Sequence, residues 1–239
     1  MNHYFITGTS RGIGKAIAEQ LLLDPKNFVT GLSRTSAITH ERYTHVEIDL
    51  SDLEKVSQFN FPVLERAEKI SLVNNAGAIG KVFYVGKIPD DLIKRAYNLN
   101  LVAPTILTNS FLNFYSSNPA KQIIINVSSG AGKNAIDGWS VYCATKAGLD
   151  MFTKVVAEEL KIADRKNVFI FAVAPGVVDT NMQDEIRTAD QTNFSNIQRF
   201  IEYKKTNQLA SPDFVAGKYL AILELPEKFK DVLFSVKDI

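Results

Sequence analysis

The stretch Thr7-Gly8-Thr9-Ser10-Arg11-Gly12-Ile13-Gly14 constrains the fold more than any other part of the chain. It follows the short apolar run Tyr4-Phe5-Ile6, which reads as a buried strand. It leads into Lys15 to Leu23, where apolar residues recur at helical spacing ahead of Pro25. A strand, a glycine-rich turn and a helix in that order form a cradle for phosphate. Gly8 permits the tight turn, Gly12 lets the backbone approach a pyrophosphate, and Gly14 packs helix against strand. The helix N-terminus then points free N–H groups at the anion. Ile6, Ser10, Arg11 and Ile13 complete the set expected to contact a nucleotide there. The spacing is G-x-x-x-G-x-G rather than G-x-G-x-x-G, and such turns also occur without a ligand, so the weight falls on what lies downstream.

Composition narrows the function classes. The 239 residues fit one α/β domain with a full core, and 46% hydrophobic with 22% charged residues is ordinary for a globular protein. A net charge of +1 offers no basic surface for nucleic acid or anionic lipid, and no apolar stretch reaches membrane-spanning length. Cys143 is the single cysteine, which excludes an internal disulfide and suits a reducing compartment. Met1-Asn2-His3 carries no basic n-region of a signal peptide. The expectation is a cytoplasmic protein acting on a small molecule. His3, His40 and His45 lack metal-like spacing, so no metal site is expected.

Strand-like and helix-like segments alternate, which predicts a doubly wound α/β fold, a parallel sheet covered on both faces. After the first strand, others are expected at 27–32, 45–48, 69–73, 122–127, 167–173 and 231–236. Helices are expected at 51–59, at 90–117 with a break near Pro104, at 139–163 and at 211–225. Residues 181–208 are polar, helical in patches and too long for a plain connection, which marks a substrate loop or lid. With no repeat or linker, residues 1–239 read as a single domain.

In dinucleotide folds an acid about 20 positions past the glycine turn binds the adenosine ribose, while NADP sites place an arginine nearby. Here that count lands on Ser33-Arg34, with no carboxylate. A ribose phosphate would meet the Arg34 guanidinium and the Ser33 hydroxyl, with Arg11 closing from the other side. The expected cofactor is therefore NADP(H). Asp49, ahead of Leu50 at the end of strand three, either accepts a hydrogen bond from the adenine amine or caps the helix near Ser51.

Tyr142-Cys143-Ala144-Thr145-Lys146 puts a phenol and an ammonium four residues apart on one helix face. A phenol near its ordinary pKa of about 10 handles protons poorly at neutral pH. A nearby lysine cation favours phenolate, so the expectation is a Tyr142 pKa lowered toward the working range. Ser129 lies thirteen residues earlier at the end of strand five, where its hydroxyl can hold a carbonyl oxygen. Cys143, turned about 100° from Tyr142, reads as a small buried side chain.

Together with Asn74-Asn75-Ala76-Gly77, Asn100 and Pro175-Gly176-Val177-Val178-Asp179-Thr180, these motifs resemble the short-chain dehydrogenase/reductase family along essentially the whole chain. The resemblance implies a seven-stranded Rossmann-type sheet and an NAD(P)(H)-dependent carbonyl–alcohol reaction. By that resemblance Tyr142 is the general acid/base, Ser129 orients the substrate oxygen, and Lys146 tunes Tyr142 and contacts the nicotinamide ribose. Asn100 supports a water relay. Asn75, Ala76 and Gly77 line the adenosine side, while Pro175, Gly176, Val178, Thr180 and Met182 line the nicotinamide side. A homodimer or homotetramer through the two long helices is implied as well.

Finer segments, Gly138 to Cys143, Lys146 to Phe152 and Pro175 to Gln183, resemble the sepiapterin reductase branch and bacterial benzil reductases. The implied substrates are 1,2-dicarbonyls or side-chain ketones on a flat ring. A 3-oxoacyl thioester or another ketone remains the alternative, and a non-enzymatic NADP-binding scaffold ranks last because Ser129, Tyr142 and Lys146 are all present. Trp139 is either an aromatic wall for the substrate or a packing anchor. Phe194, Phe200 and Tyr203 either face the ligand or seat the 181–208 segment. Asp238 is either a substrate contact or a solvated terminal acid.

Overall fold

Successive side chains of a strand point to opposite faces, so a strand covered on both sides must be apolar throughout. Ile123-Ile124-Ile125 meets that condition, and all three are fully buried. The computed structural model describes residues 1–239. Its strands are β1 (Asn2–Thr7), β2 (Asn27–Ser33), β3 (Tyr43–Glu47), β4 (Lys69–Asn74), β5 (Lys121–Val127), β6 (Val168–Ala174) and β7 (Leu233–Ser235). They form one seven-stranded sheet in the order β3-β2-β1-β4-β5-β6-β7, with every pairing parallel.

The helices are α1 (Gly12–Leu21), α2 (Leu53–Gln58), α3 (Asp90–Tyr97), α4 (Ala103–Phe114), α5 (Ser140–Ile162), α6 (Asn181–Arg187), α7 (Ile197–Lys205) and α8 (Pro212–Glu224). The alternation of the strands sorts them into layers. Tyr4, Ile6, Ile123 and Ile125 join α1 and α8 in one buried cluster, whereas Phe5, Leu72 and Ile124 join α2, α4 and α5 in another on the opposite face. A third, smaller cluster gathers Trp139, Tyr142, Ile186, Phe194 and Ile197 beyond the strand ends. Strand order reverses direction between β1 and β4, which opens a crevice at their C-terminal ends where open α/β sheets bind ligands.

The helix expected over 90–117 differs from the structure. Pro104 does not break it: Pro104 sits in the first turn of α4, where its missing N–H needs no acceptor. The interruption is a π-helical turn at Asn98–Val102. Asn100 holds this wide turn in place, its Nδ2 donating to Ala78 O at 2.8 Å while its Oδ1 accepts from Ala78 N at 2.9 Å. The 181–208 segment contains α6 and α7, joined by a single 3-10 turn at Gln191–Asn193.

Candidate active site

The glycine turn is fitted tightly to β4. Thr7 Oγ1 accepts from the N–H groups of Asn75 and Ala76, each at 2.9 Å, and Asn75 Nδ2 donates to Thr7 O at 2.9 Å. A Cβ on Gly14 would lie 2.4 Å from Asn75 Nδ2 and 2.5 Å from Gly8 O, so only glycine fits there. Gly8 and Gly12 take φ of +76° and +59°. No side chain caps α1 and no acid stands in its first turn, which leaves its opening N–H groups directed at a ligand.

This turn forms one end of a continuous cavity of about 970 Å³ that runs past the ends of β1, β4, β5 and β6. Gly8, Ser10, Arg11, Gly12, Ile13, Ser33, Arg34, Asp49, Leu50, Asn75, Ala76 and Gly77 line one part of it. Ser129, Trp139, Tyr142, Lys146, Pro175, Gly176, Val178, Thr180 and Met182 line the rest. Seven cationic side chains on its wall (Arg11, Arg34, Arg95, Lys133, Lys146, Arg199 and Lys237) face four carboxylates, those of Asp49, Asp150, Glu185 and Asp238. That surplus suits a polyanion, and with the bare N-terminus of α1 it fits the phosphates of a dinucleotide.

Two expected contacts lie elsewhere. Ile6 is fully buried in the core behind the turn and does not reach the cavity. Asn100 is 1% exposed and off the wall, bonded to Ala78. It stands behind Gly77, whose added Cβ would meet Asn100 Oδ1 at 3.2 Å and Lys146 Nζ at 3.6 Å. Asp49 is not a helix cap. Its Oδ1 accepts from Ser51 N at 2.9 Å and Ser51 Oγ at 2.7 Å, Asp52 caps α2 instead, and Arg95 pairs with Asp49 at 3.2 Å. Arg11 extends toward Glu185 of α6, 4.0 Å away. Arg34 is exposed on the cavity rim with no carboxylate partner within ion-pair distance.

At the other end α5 places Tyr142 and Lys146 on one face, with Lys146 Nζ 5.8 Å from the Tyr142 ring centre. Ser129, extended at the end of β5, accepts from Ala131 N at 3.2 Å, and its hydroxyl lies near enough to Tyr142 to act on that phenol's pKa. Lys146 Nζ donates to Val127 O at 2.8 Å. The expected lowering of the Tyr142 pKa is not found: burial pushes it up to about 12, against which the nearby Ser129 hydroxyl acts. Desolvation disfavours the phenolate, and it also draws Lys146 down to about 8. The Lys146 ammonium stands over the Tyr142 ring and makes no contact with its hydroxyl.

Trp139 is 6% exposed, stacked on Phe194 with ring centres 5.3 Å apart and edge-on to Tyr142 at 5.9 Å. It is an anchor that also forms part of the cavity wall. Phe194 is wholly buried and seats its segment, whereas Phe200 and Tyr203 reach the cavity. Cys143 is half-exposed rather than buried, its Sγ directed to Asn134 O. Asp238 stands on the rim, and its Oδ2 accepts from Ser235 N at 2.8 Å. Sequence reasoning passed over Lys133, Asp150, Gln183, Glu185, Arg95 and Arg199 on the wall. Of these only Asp150 carried a local signal, its place one helical turn after Lys146.

Residues 2–191 match the family model described as short chain dehydrogenase. The chain is 40% identical over 231 residues to a benzil reductase ((S)-benzoin forming) of Bacillus subtilis, covering 94% of each chain. It is 32% identical to the sepiapterin reductase of Rattus norvegicus, covering 92% of this chain and 90% of that one. A solved short-chain dehydrogenase/reductase from Saccharomyces cerevisiae superposes with a TM-score of 0.85 at 29% identity, covering 99% of this chain and 96% of the other.

Proposed function

The chain belongs to the short-chain dehydrogenase family, an oxidoreductase acting on CH–OH and C=O groups, and from that premise we propose an NADPH-dependent carbonyl reductase. The observation that carries the reading is the meeting of Ser129, Tyr142 and Lys146 on one wall of a cavity whose far end is the glycine turn. The nicotinamide cofactor supplies the hydride when bound. Ser129 holds the carbonyl oxygen, and Tyr142, protonated throughout the neutral range, donates its proton to that oxygen. Lys146 stabilises the phenolate charge that this transfer leaves behind. Asn100, behind Gly77 and Lys146, supports the return of the proton to Tyr142. Arg34 and Ser33 favour the 2′-phosphate of NADP.

The substrate we favour is a 1,2-dicarbonyl such as benzil, or a side-chain ketone of the sepiapterin type. The aromatic wall of Trp139 and Phe200 suits a flat ring, and relatives at 40% and 32% identity carry those substrates in their names. The segment 181–208 acts as a lid over this end within one domain. The protein works as a homodimer or homotetramer, and its lone cysteine suits the cytoplasm.

The test is Tyr142→Phe with NADPH and three substrates: benzil, sepiapterin and a 3-oxoacyl thioester. Native protein should reduce one of the first two fastest. The variant should lose at least about 10²-fold in kcat with NADPH affinity unchanged. Turnover that survives the change overturns the proposed role of Tyr142, and preference for the thioester overturns the substrate assignment.

A further inference from the structure

One buried carboxylate beside this pair has no part in the reaction as described. Asp150 lies one helical turn beyond Lys146 on the inner face of α5, 5% exposed and on the cavity wall. A carboxylate taken out of water needs partners. Ser128 Oγ donates to its Oδ1, and the Lys146 ammonium acts on it from the preceding turn. Lys146 in turn donates to Val127 O at 2.8 Å. Two successive turns of α5 therefore grip two successive residues at the end of β5. The next residue is Ser129, whose hydroxyl stands near Tyr142.

We infer that Asp150 is a positioning residue for carbonyl reduction, holding Lys146 in its ammonium form and fixing the strand end that presents Ser129. This rests on the reading of Tyr142 and Lys146 given above. The charged groups around Asp150 are Lys146 and Lys154 on its own helix and Lys133 from the loop after Ser129. Around Lys146, Asp150 is the carboxylate that supports the cation, while the Tyr142 ring and the neutral Asn100 occupy the other sides.

Burial alone draws Lys146 toward neutrality, and Asp150 opposes it. Reduction needs the cation because Tyr142 becomes negative as it gives up its proton. The rate should therefore fall as pH rises through the Lys146 pKa, near 8 in the native chain. Removing the Asp150 charge lowers that pKa, so the basic limb of kcat/KM moves to lower pH. A shift of about one unit matches the effect of losing one close opposite charge.

Asp150→Asn separates charge from shape, because an amide oxygen still accepts from Ser128. With saturating NADPH and a ketone substrate, D150N should show its basic limb about one pH unit lower, with nearly native thermal stability. Without cofactor, acylation of Lys146 followed by peptide mass spectrometry should show the same downward shift. A limb and a labelling profile that stay in place overturn the inference. Should D150N not fold, D150E, which keeps the charge, must retain the native limb, and a displaced limb there overturns it equally. Loss of turnover in Tyr142→Phe with an unmoved limb in D150N sinks only the role of Asp150. Survival of turnover in Tyr142→Phe sinks the reading beneath it.

Discussion

Arg34 stands exposed at the end of β2 beside Ser33, whose hydroxyl donates to Thr35 O at 2.9 Å. A guanidinium in that place has no carboxylate to satisfy it, so a phosphate arriving there gains a charge-assisted pair without displacing another. Arg34→Asp should lower the ratio of NADPH to NADH efficiency by about 10²-fold, since it removes an attraction and adds a repulsion. An unchanged ratio in steady-state kinetics would place the phosphate elsewhere. Ser33 and Arg34 were legible in the sequence because the count from the glycine turn is a property of one strand–helix–strand unit. Tyr142, Lys146 and Ser129 were legible for a similar reason, spacing along one helix and one strand end. The pKa of Tyr142 was not, because it depends on how completely the surrounding cluster excludes water. Lys133 and Arg95 were invisible for a related cause: each reaches the wall only when distant segments meet.

At the scale of elements, the sheet and its layers followed from apolar runs alternating with amphipathic ones, and the strand ends moved by only a residue or two. The π turn at Asn98–Val102 left no mark in the periodicity, since one extra residue in a turn is set by Asn100 bonding across to Ala78. The seating of the 181–208 segment was equally hidden. Asp137 accepts from Ser195 N at 2.7 Å, Ser195 Oγ at 3.1 Å, Asn196 Nδ2 at 3.2 Å and Tyr84 Oη at 3.2 Å. Gly138, at φ +75°, lies so close to Asn193 that a Cβ would fall 2.3 Å from its carbonyl oxygen, and Trp139 stacks on Phe194. Three consecutive residues thus clasp the 181–208 segment, and the chain then enters the helix that carries Tyr142. The Ser195 N–H, foremost, holds the Asp137 carboxyl below the usual carboxylate range, so the clasp survives mild acid and loosens only as pH falls through that lowered value. Asp137→Ala should raise KM for the ketone about three- to tenfold and speed proteolysis between α6 and α7, with NADPH affinity unchanged. A native KM together with native protease resistance would show that the stacked rings suffice to hold this segment.

Across the whole molecule, α5 is apolar on two sides, and only one of them faces the sheet. Leu149, Thr153 and Val156 are buried beneath it, yet Met151, Val155 and Ile162 are 59%, 49% and 79% exposed, and Phe114 at the end of α4 is 45% exposed. A helix that has already buried one face gains nothing from a second apolar stripe in water. A second copy of the same chain would satisfy such a stripe by twofold symmetry. The native protein should therefore sediment at a multiple of its 26.6 kDa chain mass. Met151→Glu combined with Val155→Glu places two carboxylates in that face and should move the population toward monomer at micromolar concentration. The glycine turn and the α1 N-terminus lie at the other end of the cavity, so the separated chains should still bind NADPH. Turnover should fall more than binding, because α5 also carries Tyr142, Lys146 and Asp150 on its inner face, and a helix freed on one side holds its other side less firmly. Native protein that sediments as a single chain, or a double variant that keeps the native mass, removes α5 from the interface.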